Sequence, residues 1–280
     1  MTASPLFSHA MTLRIRTEDG DRMDPQVFEG DLNEHWTIGP KIHGGVMLAL
    51  CAKAARLAIG ETAEPVVVSA NFLWAPDPGP VELAATIRKR GRTVSLVDVD
   101  LLQGGRVAVR AAVTLGAPEH ETAPLLDANP VPGLMSPEPP PEIAPIEPGH
   151  ALADVNHLAA GCDIRPDLSR LRPGADEGAP RTRIWVRPRE EAPDLLFALL
   201  CGDISAPVTF AVGLRGWAPT VQLTAYLRSR PADGWLRVLS TTTQIGHDWF
   251  DQDYVVVDCE DRVVAQSRQL ALVPAKDWGR

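Results

Sequence analysis

The pattern of apolar and polar positions changes period twice, in the same way each time. In "GGVMLALCAKAARLA", residues 44 to 58, Val46, Met47, Leu50, Ala54 and Leu57 recur at helical spacing. Strand-like runs follow: "PVVVSANFLW", "VELAATIRKR", "TVSLVDVDLL" and "RVAVRAAVTL". Further on, "PDLLFALLCGD" predicts a second helix, and "PTVQLTAYLR", "GWLRVLSTTTQ", "FDQDYVVVDC" and "RVVAQSRQLALV" predict four more strands. The two series agree in register. Ser69-Ala70 and Pro76 recur as Thr224-Ala225 and Pro231, displaced by 155 (224 − 69), and Gly91 and Gly246 keep that offset. Arg106-Val107 and Arg262-Val263 differ by 156 (262 − 106), a one-residue indel. A repeat of this length fixes the architecture before any single motif does. Short, turn-connected strands pair antiparallel, so the expectation is an α+β chain in which a sheet wraps a central helix, twice over.

Proline punctuates the repeat. The segment at 117–150, "APEHETAPLLDANPVPGLMSPEPPPEIAPIEPGH", cannot sustain a helix or a central strand and reads as a semi-rigid linker. The expected organisation is an N-terminal tail at 1–24, a first unit at 25–116, the linker at 117–150 and a second unit at 151–276.

Composition narrows the chemistry. The net charge of −9 over 280 residues argues against a nucleic-acid binder, which needs a basic face. No run approaches the ~18 apolar residues of a membrane span, and the N-terminus lacks the apolar core of a signal peptide, so the default location is cytoplasmic. Cys51, Cys162, Cys201 and Cys259 are scattered without a C-x-x-C pair, which suggests neither a metal nor a disulfide framework. No cofactor motif is present.

The order of elements, with "HGGVMLAL" opening the first helix and "TVQLTAYLRSRP", "STTTQ" and "RVVAQSRQ" in the second half, resembles the acyl-CoA thioesterase II (TesB-like) family of double hotdog proteins. The resemblance implies a tandem hotdog protomer that pairs further into a homo-oligomer, a dimer of double hotdogs. It also implies hydrolysis of acyl-CoA by an activated water. In that family an Asp, a Thr or Ser, and a Gln hold the water. Matched by motif, the Gln falls on Gln269, the Thr on Thr243, and the Asp position on Gln222, a departure.

An amide can orient a water but cannot take its proton. If Gln222 replaces the carboxylate, the chain is a slow thioesterase, an acyl-CoA-binding protein that has lost turnover, or an enzyme with another base. Asp203 is the best such base, a carboxylate on the apolar stripe of the second helix; its counterpart at the repeat offset is Leu48. Plain solvent exposure would also explain Gln222, whose face-mates are Thr220, Thr224 and Tyr226. Along the last strand Ala265, Ser267, Gln269 and Ala271 share a face, and the small residues leave room for a substrate. "IHGG", with His43, Gly44 and Gly45, resembles the His-Gly-Gly of single-hotdog thioesterases, where a helix N-terminus aims amides at the thioester oxygen. The two glycines would equally serve close packing. Arg88 and Arg90, in "RKRGR", are the densest positive cluster, either a docking strip for CoA phosphates or a solvated turn.

Overall fold

The computed structural model describes residues 4–16, 25–60, 63–119, 122–174 and 179–274. In chain order the first half contains α1 (Phe7–Ala10), β1 (Arg14–Ile15), β2 (Gln26–Leu32), β3 (Thr37–Ile38), β4 (Lys41–Ile42), α2 (Gly44–Ile59), β5 (Glu64–Phe72), β6 (Gly79–Lys89), β7 (Ser95–Gln103) and β8 (Arg106–Gly116). The second half contains β9 (Cys162–Asp167), β10 (Arg181–Pro188), α3 (Leu195–Cys201), β11 (Thr220–Leu227), β12 (Leu236–Thr241), β13 (Trp249–Val257) and β14 (Val263–Leu272).

Twelve of these strands form one antiparallel sheet, ordered β1-β2-β6-β7-β8-β5-β11-β14-β13-β12-β10-β9. The halves repeat each other strand for strand: β2-β6-β7-β8-β5 in one and β10-β12-β13-β14-β11 in the other. They join where β5 pairs with β11. This is the double hotdog arrangement, an α+β fold. Alternation sets the faces of each strand. In β7, Ser95, Val97, Val99 and Leu101 are buried, while Asp98 and Asp100 point outward and pair with Arg88 and Arg110 at 2.7 and 2.8 Å.

Helix α2 lies against β5, β6, β7, β8 and α3, so it is apolar nearly all round. Its small residues let α3 come close. A Cβ on Gly45 would sit 2.6 Å from the Leu200 carbonyl oxygen, so only glycine fits there. Helix α3 is short and stops at Gly202, which leaves Asp203 in the following turn and not on the helical stripe expected for it. The helix N-caps, His43 and Asp194, are offset by 151 (194 − 43), so the helices align Asp203 with Ala52 rather than Leu48.

Two expectations about connecting segments need correction. Part of the segment read as a tail is core: Phe7 in α1 packs edge-on against Trp36 and Phe197, each at 5.3 Å, bridging the halves; residues 17–24 lie outside the described residues. The described residues of the proline-rich segment form no helix or strand, yet they do more than link the halves. Val131 and Met135 are buried with Trp185, Trp235, Leu239 and Val257. Trp185 Nε1 donates to the Ser136 carbonyl at 2.8 Å, and the wholly buried Arg237 donates to the carbonyls of Met135 and Asp258 and to Asp261. Internal backbone bonding is confined to short turns, such as Met135 N–H to the Val131 carbonyl at 2.8 Å, and side chains of the second sheet fasten the segment as well.

Candidate active site

The N-terminus of α2 meets the turn after α3 beside the seam. His43 caps α2 by accepting from the Gly45 N–H at Nδ1, 3.1 Å away. That leaves Nε2 to carry the ring proton, and it lies 3.0 Å from the Asp203 carbonyl oxygen. Burial lowers the His43 pKa to about 4 despite this bond, so the ring is neutral at pH 7. His43 is thus a strut between the halves.

The Asp203 carboxyl rests against the helix start. A Cβ on Gly44 would lie 2.5 Å from Asp203 Oδ2, so the bare backbone of Gly44 is what admits the carboxyl group. The Asp203 side chain is only 8% exposed, and the neutral His43 ring lies 3.9 Å from Oδ2. Burial raises its pKa to about 7, against the opposing pull of the Gly45 N–H.

A β-bulge supplies the next group. The register of β11 against β14 shifts between Thr220 and Gln222, which turns Thr220 from the outer face toward the interior. Its hydroxyl donates to Gln269 Oε1 at 2.6 Å, and Gln269 Nε2 donates to the Tyr254 hydroxyl at 3.1 Å. Ser267, on the same face as Gln269, donates to the Gly202 carbonyl and ties the Asp203 turn to β14. Burial raises the Tyr254 pKa, and the Asp203 charge adds to that, so its phenol stays protonated.

These groups share a cavity of about 660 Å³ with His43, Gly44, Asp203, Thr220 and Gln269 in its wall. Most of the remaining wall is apolar, including Met47, Phe72, Trp74, Phe210, Trp217 and Phe250. Gln252, fully buried, holds one flank: its Nε2 donates to Ser240 Oγ at 2.7 Å and to the Ala206 carbonyl at 3.2 Å.

Of the residues singled out in the sequence, Asp203, Gln269, His43 and Gly44 converge on the cavity, and Gly45 lies directly behind them. The others do not. Gln222 sits on the outer face at the seam, donating to Thr224 Oγ1 at 2.8 Å and to Ser69 Oγ at 3.2 Å. Thr243 is exposed in the turn after β12, its backbone N–H held by Asp251. Arg88 is paired with Asp98, and Arg90 donates to the Ile59 and Ala58 carbonyls, capping the far end of α2. That end is about 24 Å along the helix from Gly44. Thr220 and Tyr254 were missed. Strict alternation puts Thr220 outward with Gln222, and only the bulge reverses it.

Comparison with known proteins matches two family models to the chain, an acyl-CoA thioesterase N-terminal domain over residues 32–116 and an acyl-CoA thioesterase C-terminal domain over residues 135–273. The chain belongs to the acyl-CoA thioesterase family. Uncharacterized proteins of Mycobacterium tuberculosis and Mycobacterium bovis are 60% identical to this thioesterase-family chain over 288 aligned positions, covering 97% of it and 99% of each of them. Among solved structures, a chain assigned as a thioesterase II in Thermobifida fusca is similar at a TM-score of 0.81 and 26% identity, covering 96% of this chain and 97% of that one. An acyl-CoA thioesterase II, TesB2, of Mycobacterium marinum shares the fold at a TM-score of 0.70 and 15% identity, covering 98% and 99% of the two chains. The C-terminal family model begins at Met135, inside the proline-rich segment, where the chain is already fastened to the second half.

Proposed function

We propose that the protein hydrolyses acyl-CoA thioesters with a water held between Asp203, Thr220 and Gln269. The carrying observation is the buried carboxyl of Asp203, with a pKa of about 7, set against the glycine-opened N-terminus of α2. A base with a pKa near the working pH is suited to proton transfer. The water oxygen attacks the thioester carbon and its proton passes to Asp203. Collapse of the tetrahedral intermediate breaks the C–S bond, and the thiolate recovers a proton from Asp203. Amides of the first turn of α2 and the second N–H of Gln269 are suited to the developing oxyanion. The acyl chain occupies the apolar part of the cavity.

The alternative of an acyl-CoA binder without turnover rested on an amide standing where a carboxylate is needed. With Gln222 at the seam and Asp203 in the cavity, that motive is gone. The reading is tested by following free thiol release from acyl-CoAs of graded chain length. Turnover that saturates with substrate supports it, and tight acyl-CoA binding without thiol release overturns it.

A further inference from the structure

Two arginines at the cavity stand apart from the rest. Arg106 lies over the ring of Trp74 at 4.9 Å, and Arg215 over the ring of Phe210 at 5.6 Å. Both rings belong to the cavity wall, and both arginines are exposed. Many other arginines, among them Arg88, Arg110, Arg183, Arg187, Arg262 and Arg268, are matched to carboxylates. Neither Arg106 nor Arg215 forms an ion pair among the described residues.

The register places these two charges on one stretch of rim. The β5–β11 pairing ends at Asn71 and Gln222. Residues leaving β5, Phe72 to Trp74, therefore run beside those entering β11, Trp217 to Val221, and both stretches line the cavity. Arg106 sits on the first stretch through Trp74, whose Nε1 donates to the Val107 carbonyl at 2.9 Å. Arg215 lies two residues before Trp217.

We propose that Arg106 and Arg215 receive the phosphate groups of the CoA moiety, with the pantetheine arm entering between Trp74 and Trp217 to reach Asp203. This assignment rests on the thioesterase reading and moves the anion site away from Arg88 and Arg90. Each guanidinium lies over a ring and engages no carboxylate among the described residues, so its N–H donors remain available to a phosphate. In a chain of net charge −9 a polyanionic substrate is repelled at long range, so unneutralised positive charge at the entrance is where attraction can act. The reach is adequate: Thr220, in the proposed water-binding group, is five residues from Arg215, at most about 18 Å of extended chain.

The test compares an acyl-CoA with the same acyl group on N-acetylcysteamine, which carries no phosphate, in wild type, R106A, R215A and the double variant R106E/R215E. The double variant is expected to raise KM for the CoA ester about tenfold, leave kcat within about twofold, and leave KM for the truncated ester unchanged. The wild-type KM for the CoA ester should also rise with salt. Equal effects on both esters, or none on either, overturn the proposal. Calorimetric binding of CoA itself, with melting curves to confirm folding, separates the two readings. A wild type that hydrolyses nothing sinks the thioesterase reading. Loss of CoA binding in R106E/R215E still supports the arginine assignment, and undiminished or absent CoA binding overturns it.

Discussion

Ser69 and Thr224 face each other across the seam, their hydroxyls 2.9 Å apart, and they occupy the same place in the repeat. Val68 opposes Ala225, the counterpart of Ala70, and Ala70 opposes Leu223, the counterpart of Val68. A local two-fold axis therefore passes between the two hydroxyls. The bulge obeys it as well: Pro65/Val67 in β5 and Thr220/Gln222 in β11 are displaced by the same 155 positions (220 − 65). Gln222 belongs to this seam, bonded to both hydroxyls.

Substitutions at the seam and in the cavity should have different effects. Gln222→Ala and Thr243→Ala should each leave thiol release within about twofold of wild type, Gln222→Ala lowering stability by about 1 kcal/mol. Thr220→Val removes the donor that orients Gln269 and should cut kcat roughly 10- to 100-fold with little change in melting temperature. A Gln222→Ala variant that loses turnover without unfolding would return that residue to the site.

Asp203→Asn should reduce turnover by about 10²- to 10⁴-fold while the fold persists. In the wild type, kcat/KM should climb as pH rises through about 7 and level off above it, as Asp203 ionises. A flat profile between pH 5 and about 8 would exclude Asp203 as the base.

The same two buried groups set opposing trends in stability. Asp203 is raised from 3.8 to about 7, so its contribution is fully present below the unfolded value and is lost as pH rises through the folded one, roughly 4 kcal/mol in all. His43 is depressed from 6.5 to about 4, so its contribution is present above the unfolded value and is lost as pH falls through the folded one, roughly 3 kcal/mol. Asp203→Asn should accordingly melt higher than wild type at pH 8, and the difference should vanish near pH 4. Melting curves across this range check both signs.

Gly44→Ala and Gly45→Ala should fail differently. The first pushes a methyl against a side-chain carboxyl, which can swing aside, so activity should fall more than stability. The second meets the Leu200 backbone, which cannot move without shifting α3, and should cost roughly 1–3 kcal/mol. Chemical denaturation beside kcat measurement distinguishes them.

Arg237→Met removes the side-chain donor of the Met135 and Asp258 carbonyls, and Asp258 keeps only the Asp261 N–H. We expect about 3 kcal/mol of destabilisation and earlier proteolysis within the proline-rich segment, read by denaturation and limited digestion. Unchanged stability would mean that the segment's apolar contacts and its bonds from Trp185 and Arg183 hold it without Arg237.

The repeat was legible where strands alternate, as β7 does with its inward valines and outward aspartates. Gln269 was legible through the family resemblance, and alternation agrees with it, since Ala265, Ser267 and Ala271 are buried beside it. Asp203 stood out as a carboxyl among leucines, but its partners at Gly44 and His43 lie about 160 positions away and no local spacing connects them. Thr220 was hidden by the bulge, and Gln222 and Thr243, matched by motif, lie away from the cavity. Arg88 and Arg90 cluster in sequence yet are spent locally, on an aspartate and a helix end. The proline-rich segment looked inert because its buried residues, Val131, Met135 and Ile146, follow no period.

The bulge shared by β5 and β11 also shows what tandem linkage permits. Where the second half has Thr220 and Gln269, the first has Pro65 and Val113 at the corresponding rungs. Two identical chains meeting about an exact dyad would have to carry the same residue on both sides, so a gain at one pocket would be forced on the other. Joined in one polypeptide, the copies have diverged: one flank keeps hydroxyl and amide groups, and its mirror image has become plain hydrophobic filling.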